Sequence, residues 1–168
     1  MSHTLVDQLR FTRSELERAL DGVSADDAVI RFEPMNCISW MVGHLAWQEN
    51  RLWCIYPRGR NIAPQLEPLV AFGKPASRPP LDDMWEAWRK VTKAADEELD
   101  SFTAEGLGDY YQVDGIAVSE SIGTLLHRNI YHYWFHIGEA LAVRQLVGHK
   151  DLPEFVGSFP DWALYRKR

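Results

Sequence analysis

Leu125-Leu126-His127-Arg128-Asn129-Ile130-Tyr131-His132-Tyr133-Trp134-Phe135-His136-Ile137-Gly138-Glu139 is the stretch on which the fold turns. It sits in a proline-free segment from Ser121 to Val147 that Gly148 stops, the pattern of a long helix. At about 100° per residue, Leu125, Asn129, His132, His136, Ala140 and Val143 fall on one stripe. The stripe carries core-type residues at both ends, so His132 and His136 are expected to point into a helical bundle. A buried imidazole is costly unless its nitrogens are bonded. Two of them at i and i+4 have Cβ atoms about 5–6 Å apart, and both reach a single cation at the roughly 2.0–2.1 Å of a zinc–nitrogen bond. The spacing is that of the two histidines in the zinc-protease helix motif. However, Tyr133 stands where that motif has its glutamate, which removes the peptidase mechanism. Taken alone, the pair also fits two hydrogen-bonded core histidines.

Working outward, the best third ligand is His44, within Ser39-Trp40-Met41-Val42-Gly43-His44-Leu45-Ala46. Gly43 and Ala46 are small and allow a neighbouring helix to approach. His127 lies about 140° round the helix from His132 and reads as a packing or hydrogen-bonding residue. His149 reads as a loop residue and His3 as solvated.

Three more amphipathic segments accompany the long helix. The first spans Leu5 to Leu20, opened by a Thr4–Asp7 capping box and stopped by Gly22. The second spans Ile38 to Ile55, capped by Asn36 or Ser39, with Ile38, Met41, Val42, Leu45, Glu49, Leu52 and Tyr56 facing inward. The third opens after Pro80 and buries Leu81, Met84, Trp88, Val91, Ala95 and Leu99, with Asp82 and Asp83 at its positive end. Between the second and third lies a connection carrying Pro57, Pro64, Pro68, Pro75 and Pro79, too long for a tight helical hairpin. It reads as a crossover. Tyr110 to Val113 before Asp114-Gly115 suggests a short hairpin, and the tail past Gly148, with Pro153 and Pro160, is expected to wrap the surface. Residues 1–168 therefore predict one all-α domain, a four-helix bundle.

The 168 residues include 18 Lys+Arg and 24 Asp+Glu, a net charge of -6, with 46% hydrophobic and 25% charged residues. This is globular composition. The acidic balance argues against nucleic-acid binding, since the only basic cluster is Arg166, Lys167 and Arg168. The longest uncharged run, Pro34 to Gln48, is too short to span a bilayer. Asp7, Arg10 and Arg13 interrupt the N-terminus before a signal-peptide core forms. Cys37 and Cys54 on one helix would sit roughly 25 Å apart, beyond disulfide reach. They read as buried free thiols in a reducing cytoplasm.

The last-helix stretch and the Ser39–Ala46 segment resemble the two histidine motifs of the DinB/YfiT-like superfamily, in order and spacing and with the same long connection. The resemblance implies an up-down-down-up four-helix bundle, often a homodimer. It also implies a divalent metal, commonly zinc or nickel, on one histidine of the second helix and two of the last, which carry over to His44, His132 and His136. The superfamily includes transferases that use low-molecular-weight thiols such as mycothiol or bacillithiol, a mycothiol-dependent maleylpyruvate isomerase, and many members of no known activity.

Three neutral histidines leave a zinc-like ion one or two open positions, the catalytic pattern. Such an ion either lowers the pKa of water or ionises a thiol, and the resemblance favours the thiol. Asn129 and Glu139 flank the pair and are placed to orient an imidazole N–H. Glu139 is a candidate general base or else a surface charge. Glu49, five residues past His44 on an apolar stripe, needs a metal-linked or arginine partner. Trp40, Trp47, Tyr131 and Trp134 read as pocket walls or as core. Arg51, one heptad beyond His44, reads as an anchor for an anionic substrate group or as an ion-paired surface residue. The expected function is a metal-dependent enzyme acting on a small molecule by thiol transfer or hydrolysis. The alternatives are a non-catalytic metal- or small-molecule-binding stress protein and a metal-free helical dimer.

Overall fold

The computed structural model describes residues 3–154 and 156–165, so the basic trio Arg166, Lys167 and Arg168 lies outside the described residues. In chain order the helices are α1 (Thr4–Leu20), α2 (Ala25–Ala28), α3 (Ile38–Glu49), α4 (Tyr56–Arg58), α5 (Leu66–Val70), α6 (Leu81–Leu99) and α7 (Ile122–Val147). Two-residue strands β1 (Gln112–Val113) and β2 (Ile116–Ala117) pair antiparallel across Asp114 and Gly115, both at positive φ. This is the turn chemistry that an Asp-Gly hairpin calls for.

Helices α1, α3, α6 and α7 form an all-α bundle. The heaviest packing joins α3 to α6 and α1 to α7. Met84 faces Gly43 near the starts of α6 and α3, and Glu97 and Glu98 meet Arg58 near the far end, so α3 and α6 run parallel. Trp53 meets Asn129, Gln48 meets His132, and His44 meets His136, so α7 runs antiparallel to α3. Phe11 meets Trp134 with ring centroids 6.3 Å apart and Arg144 Nη1 donates to the Ala19 carbonyl, so α1 and α7 run parallel.

The predicted inward faces are buried. All six apolar residues of the third segment are in the core, as are Leu125, Ala140 and Val143 of the last. Ser121 Oγ accepts from Thr124 N, and Gly148 closes α7 at φ 106°. Three expectations need correction. The cap of α1 is His3, whose Nδ1 accepts from Leu5 N at 3.2 Å, not a Thr4–Asp7 box. The residue capping α3 is Cys37, with no side-chain bond, not Asn36 or Ser39. The second segment is also not a single regular helix: after Glu49 it widens into a π-helical turn over Asn50–Ile55 before α4. A π turn shifts the register of everything after it, so Leu52, Trp53 and Cys54 are all buried in succession while Tyr56 is only half-buried.

The proline-rich connection is more than a plain crossover, because it contains α5. Pro68 falls in its first turn, where a missing N–H is tolerated, and α5 packs on α3. Gly43 makes room for it: a Cβ at that position would lie 3.2 Å from Val70 Cγ1 and closer still to Met84 Sδ. Among the described residues no helix is long and apolar enough to cross a membrane.

Candidate metal centre

His44 lies on α3 where every residue from Ile38 to Ala46 is buried. Its ring is sandwiched between Trp40 (centroids 4.4 Å, 15°) and Trp47 (5.3 Å, 21°), and its Nδ1 donates to the Val70 carbonyl at 2.7 Å. The residues of α5 that Gly43 admits therefore fix the first imidazole. On α7, His136 Nδ1 donates to Glu139 Oε2 at 2.7 Å, and His132 Nδ1 donates to Gln48 Oε1.

Each histidine thus gives its Nδ1 proton to an oxygen, which leaves Nε2 as the ring nitrogen free to serve the site. One ring nitrogen of each lies within 4.8 Å of the other two. The Nε2 atoms of His132 and His136 are 2.9 Å apart. Burial, reinforced by His136 and opposed by the Val70 carbonyl and Glu139, pulls His44 down to about 4. Burial, with His136 and His44 nearby, pulls His132 down to about 3. Both are neutral at pH 7. A proton or a cation joins two imidazole nitrogens at this distance, and a span of 2.9 Å is one that nitrogen–metal bonds of about 2.0–2.1 Å can bridge. Beside them is Trp40 Nε1, the one buried side-chain nitrogen or oxygen among the described residues with no partner. Its ring stacks on His44 and stands edge-on to His136. Buried donors in native structures are almost always satisfied. The donor set therefore fits a divalent cation carrying a further ligand.

The other expected residues divide sharply. Glu139 is at the site, where its carboxylate accepts from His136 Nδ1. Trp47 is also at the site, packed on His44 and donating its Nε1 to Glu67. Asn129 does not touch an imidazole: it accepts from Trp53 Nε1 at 2.7 Å and donates to Gln48 Oε1 at 3.2 Å. Glu49 is elsewhere. Its carboxylate takes Arg13 Nε at 2.8 Å, Arg13 Nη2, and the Tyr133 hydroxyl at 2.6 Å, which removes it from the catalytic set. Arg51 lies over the Trp47 and Tyr56 rings at 5.9 and 5.3 Å, so its nearest partners are aromatic faces.

Of the aromatic walls, Trp134 faces Phe11 on the opposite side of α7. His127 is exposed and stacks on Tyr131, a packing contact of the packing or hydrogen-bonding kind the sequence predicts. His149 accepts from Arg144 Nε and faces Asp27, so it ties the loop to α2. The residue the sequence reading missed is Gln48. It stands at i+4 from His44, hence on the same face of α3, and that spacing was the available signal.

Along the exposed side of α7 runs a groove of about 500 Å³ lined by Gln48, Thr124, His127, Arg128, Tyr131, His132 and Phe135. It gives a small molecule access to the His132 side of the cluster. Cys37 and Cys54 are free and buried, and burial together with the charge of Glu49 pushes the Cys54 thiol up to about 11.

No curated protein matches the chain. The DinB superfamily profile matches residues 8–140, a span that takes in all three histidines, Gln48 and Glu139; the chain belongs to the DinB superfamily.

Proposed function

We propose that this protein is a metal-dependent enzyme that uses a zinc or nickel ion on His44, His132 and His136 to activate a low-molecular-weight thiol for transfer to a small-molecule substrate. The observation that carries this reading is the convergence of three imidazoles whose outer nitrogens are all anchored on oxygens. When bound, the cation supplies the Lewis acidity that ionises a coordinated thiol at neutral pH.

The chain's own residues do the remaining work. Val70, Gln48 and Glu139 hold the three rings in the tautomer that presents Nε2. The Trp40 and Trp47 faces close the His44 side against water. The groove along α7 leaves His132 approachable by a ligand. Both cysteines being buried supports an exogenous thiol.

Elemental analysis of untagged protein tests the first half: about one equivalent of metal is expected, and less than about a tenth, with stability unchanged by chelation, would end it. Titration of cobalt-substituted protein with cellular thiols tests the second half. A change in the cobalt absorption supports thiol activation, and no response to any thiol shifts the reading to hydrolysis or to metal binding alone.

A further inference from the structure

We infer that Gln48 is a substrate-binding residue, whose amide N–H group is held ready for a carbonyl, amide or carboxylate oxygen of the ligand in the α7 groove. The inference deepens the proposed function and rests on it.

An indole nitrogen only donates. The Asn129 atom 2.7 Å from Trp53 Nε1 must therefore be its oxygen, which turns the Asn129 nitrogen toward Gln48 at 3.2 Å. That nitrogen needs an acceptor, so Gln48 presents its oxygen. The same Gln48 Oε1 receives His132 Nδ1–H. Trp53 and Asn129 are both buried, so water does not compete for these bonds. One fixed donor in the core thus sets the orientation of two amides and one imidazole in turn.

The consequence lies at the other end of Gln48. With its oxygen doubly committed, its amide nitrogen has no acceptor among the described residues, yet Gln48 lines the groove. The neighbouring Arg128 is already held by Glu120, with Nε on Oε2 at 2.7 Å. Gln48 is therefore an uncommitted donor beside His132, within the reach of a ligand whose other end meets the cation. The ligand class that satisfies both is a thiol, or its acceptor substrate, bearing an oxygen acceptor a few bonds from the reacting atom. Leaving that donor unpaired when a ligand without such an oxygen displaces water is a penalty, and it confers selectivity.

Cobalt-loaded protein titrated with 3-mercaptopropionamide and with butane-1-thiol, followed by cobalt absorption, tests this. The amide-bearing thiol is expected to bind about threefold to tenfold tighter, the usual worth of one hydrogen bond. Gln48→Glu keeps oxygens for His132 and Asn129, so cobalt should stay bound, but it removes the donor. The preference should fall to near unity, and 3-mercaptopropionate should bind more weakly than to wild type. A preference that survives Gln48→Glu, as direct chelation of cobalt by the amide would produce, overturns the inference, as does the absence of any preference in wild type. If wild type takes up no cobalt, the metal reading fails by itself. Nitrogen NMR of the metal-free protein then decides the relay: His132 protonated at Nδ1 upholds it, and protonation at Nε2 overturns it.

Discussion

Two polar clusters lie side by side on the same pair of helices. His44 and Gln48 on α3 face His132 and His136 on α7, while Glu49 and Tyr133, each one residue away, face the opposite interior with Arg13 and Trp88. The second cluster is closed. Trp88 Nε1 donates to the Tyr133 hydroxyl at 2.7 Å, Tyr133 donates to Glu49, and Glu49 receives two arms of Arg13, whose third arm reaches Asp96 at 2.9 Å. The first cluster is closed only on its outer side, and its inner nitrogens face one another. Both clusters are polar and largely buried, with His132 and Gln48 partly exposed at the groove, so burial alone does not separate structure from function here. What separates them is whether the protein itself supplies every partner.

The largest effect should come from breaking the closed cluster. Burial opposes the charge on Arg13, but Glu49 holds the guanidinium above its ordinary pKa, so Arg13 is charged. Glu49→Ala would strand that charge and is expected to cost about 3–5 kcal/mol in urea denaturation. The double replacement Arg13→Met with Glu49→Leu should recover most of the loss, because no charge is left without a partner. Metal content should follow folding and nothing else. If Glu49→Ala instead removed the metal while stability held, the roles assigned to the two clusters would be reversed.

Breaking the open cluster should do the opposite. His132→Ala or His136→Ala is expected to abolish stoichiometric metal while changing metal-free stability by about 1 kcal/mol or less, since the inner nitrogen of each ring meets only the other histidine. His149→Ala should leave metal content intact, because that ring serves Arg144 and Asp27. Equal loss in all three variants would show that the ligand set is wrong.

The same contrast sets a pH signature. In the unfolded chain the imidazoles titrate near 6.5, whereas in the fold His44 is held at about 4 and His132 at about 3. From about pH 6.5 downward the unfolded state binds more protons, so the stability of metal-free protein should fall with pH across that window and level off below it. Arg13 stays charged throughout and adds no slope. A urea midpoint that is flat between pH 6.5 and 4 in the metal-free protein, or one that His132→Ala leaves equally steep, would show that these rings are not held neutral.

Periodicity along α7 was enough to bring His132 and His136 together, because a regular helix turns by a fixed angle and side-chain direction follows from residue number alone. The same logic failed at two kinds of position. Past Glu49 the π turn breaks the regular angle, and no residue in Asn50–Ile55 announces it. Glu49 itself was on the predicted apolar stripe, as found, but which helix lies across from it is a matter of packing, and so the choice between a metal and Arg13 was not visible. Asn129 was placed on the right stripe but assigned the wrong partner for the same reason. Gln48 was missed although its spacing from His44 was in plain view, since only the direction of the Trp53–Asn129 bond makes its amide orientation matter. Helix α5 stayed hidden behind prolines that sit in its first turn and around it.

The smallest expected effect concerns Cys54, which belongs to the closed side of the comparison. Burial raises its thiol to about 11 and the nearby Glu49 charge adds to the shift. The thiolate, not the thiol, reacts with alkylating agents. At pH 8 Cys54 in native protein should therefore be modified at least about tenfold more slowly than in protein unfolded by urea, where thiols titrate near 8.5. Cys54→Ala should leave metal content and the cobalt response to thiols unchanged. A Cys54→Ala variant that lost its thiol response would place the reactive sulfur inside the chain. The closed cluster would then reach into the chemistry of the open one.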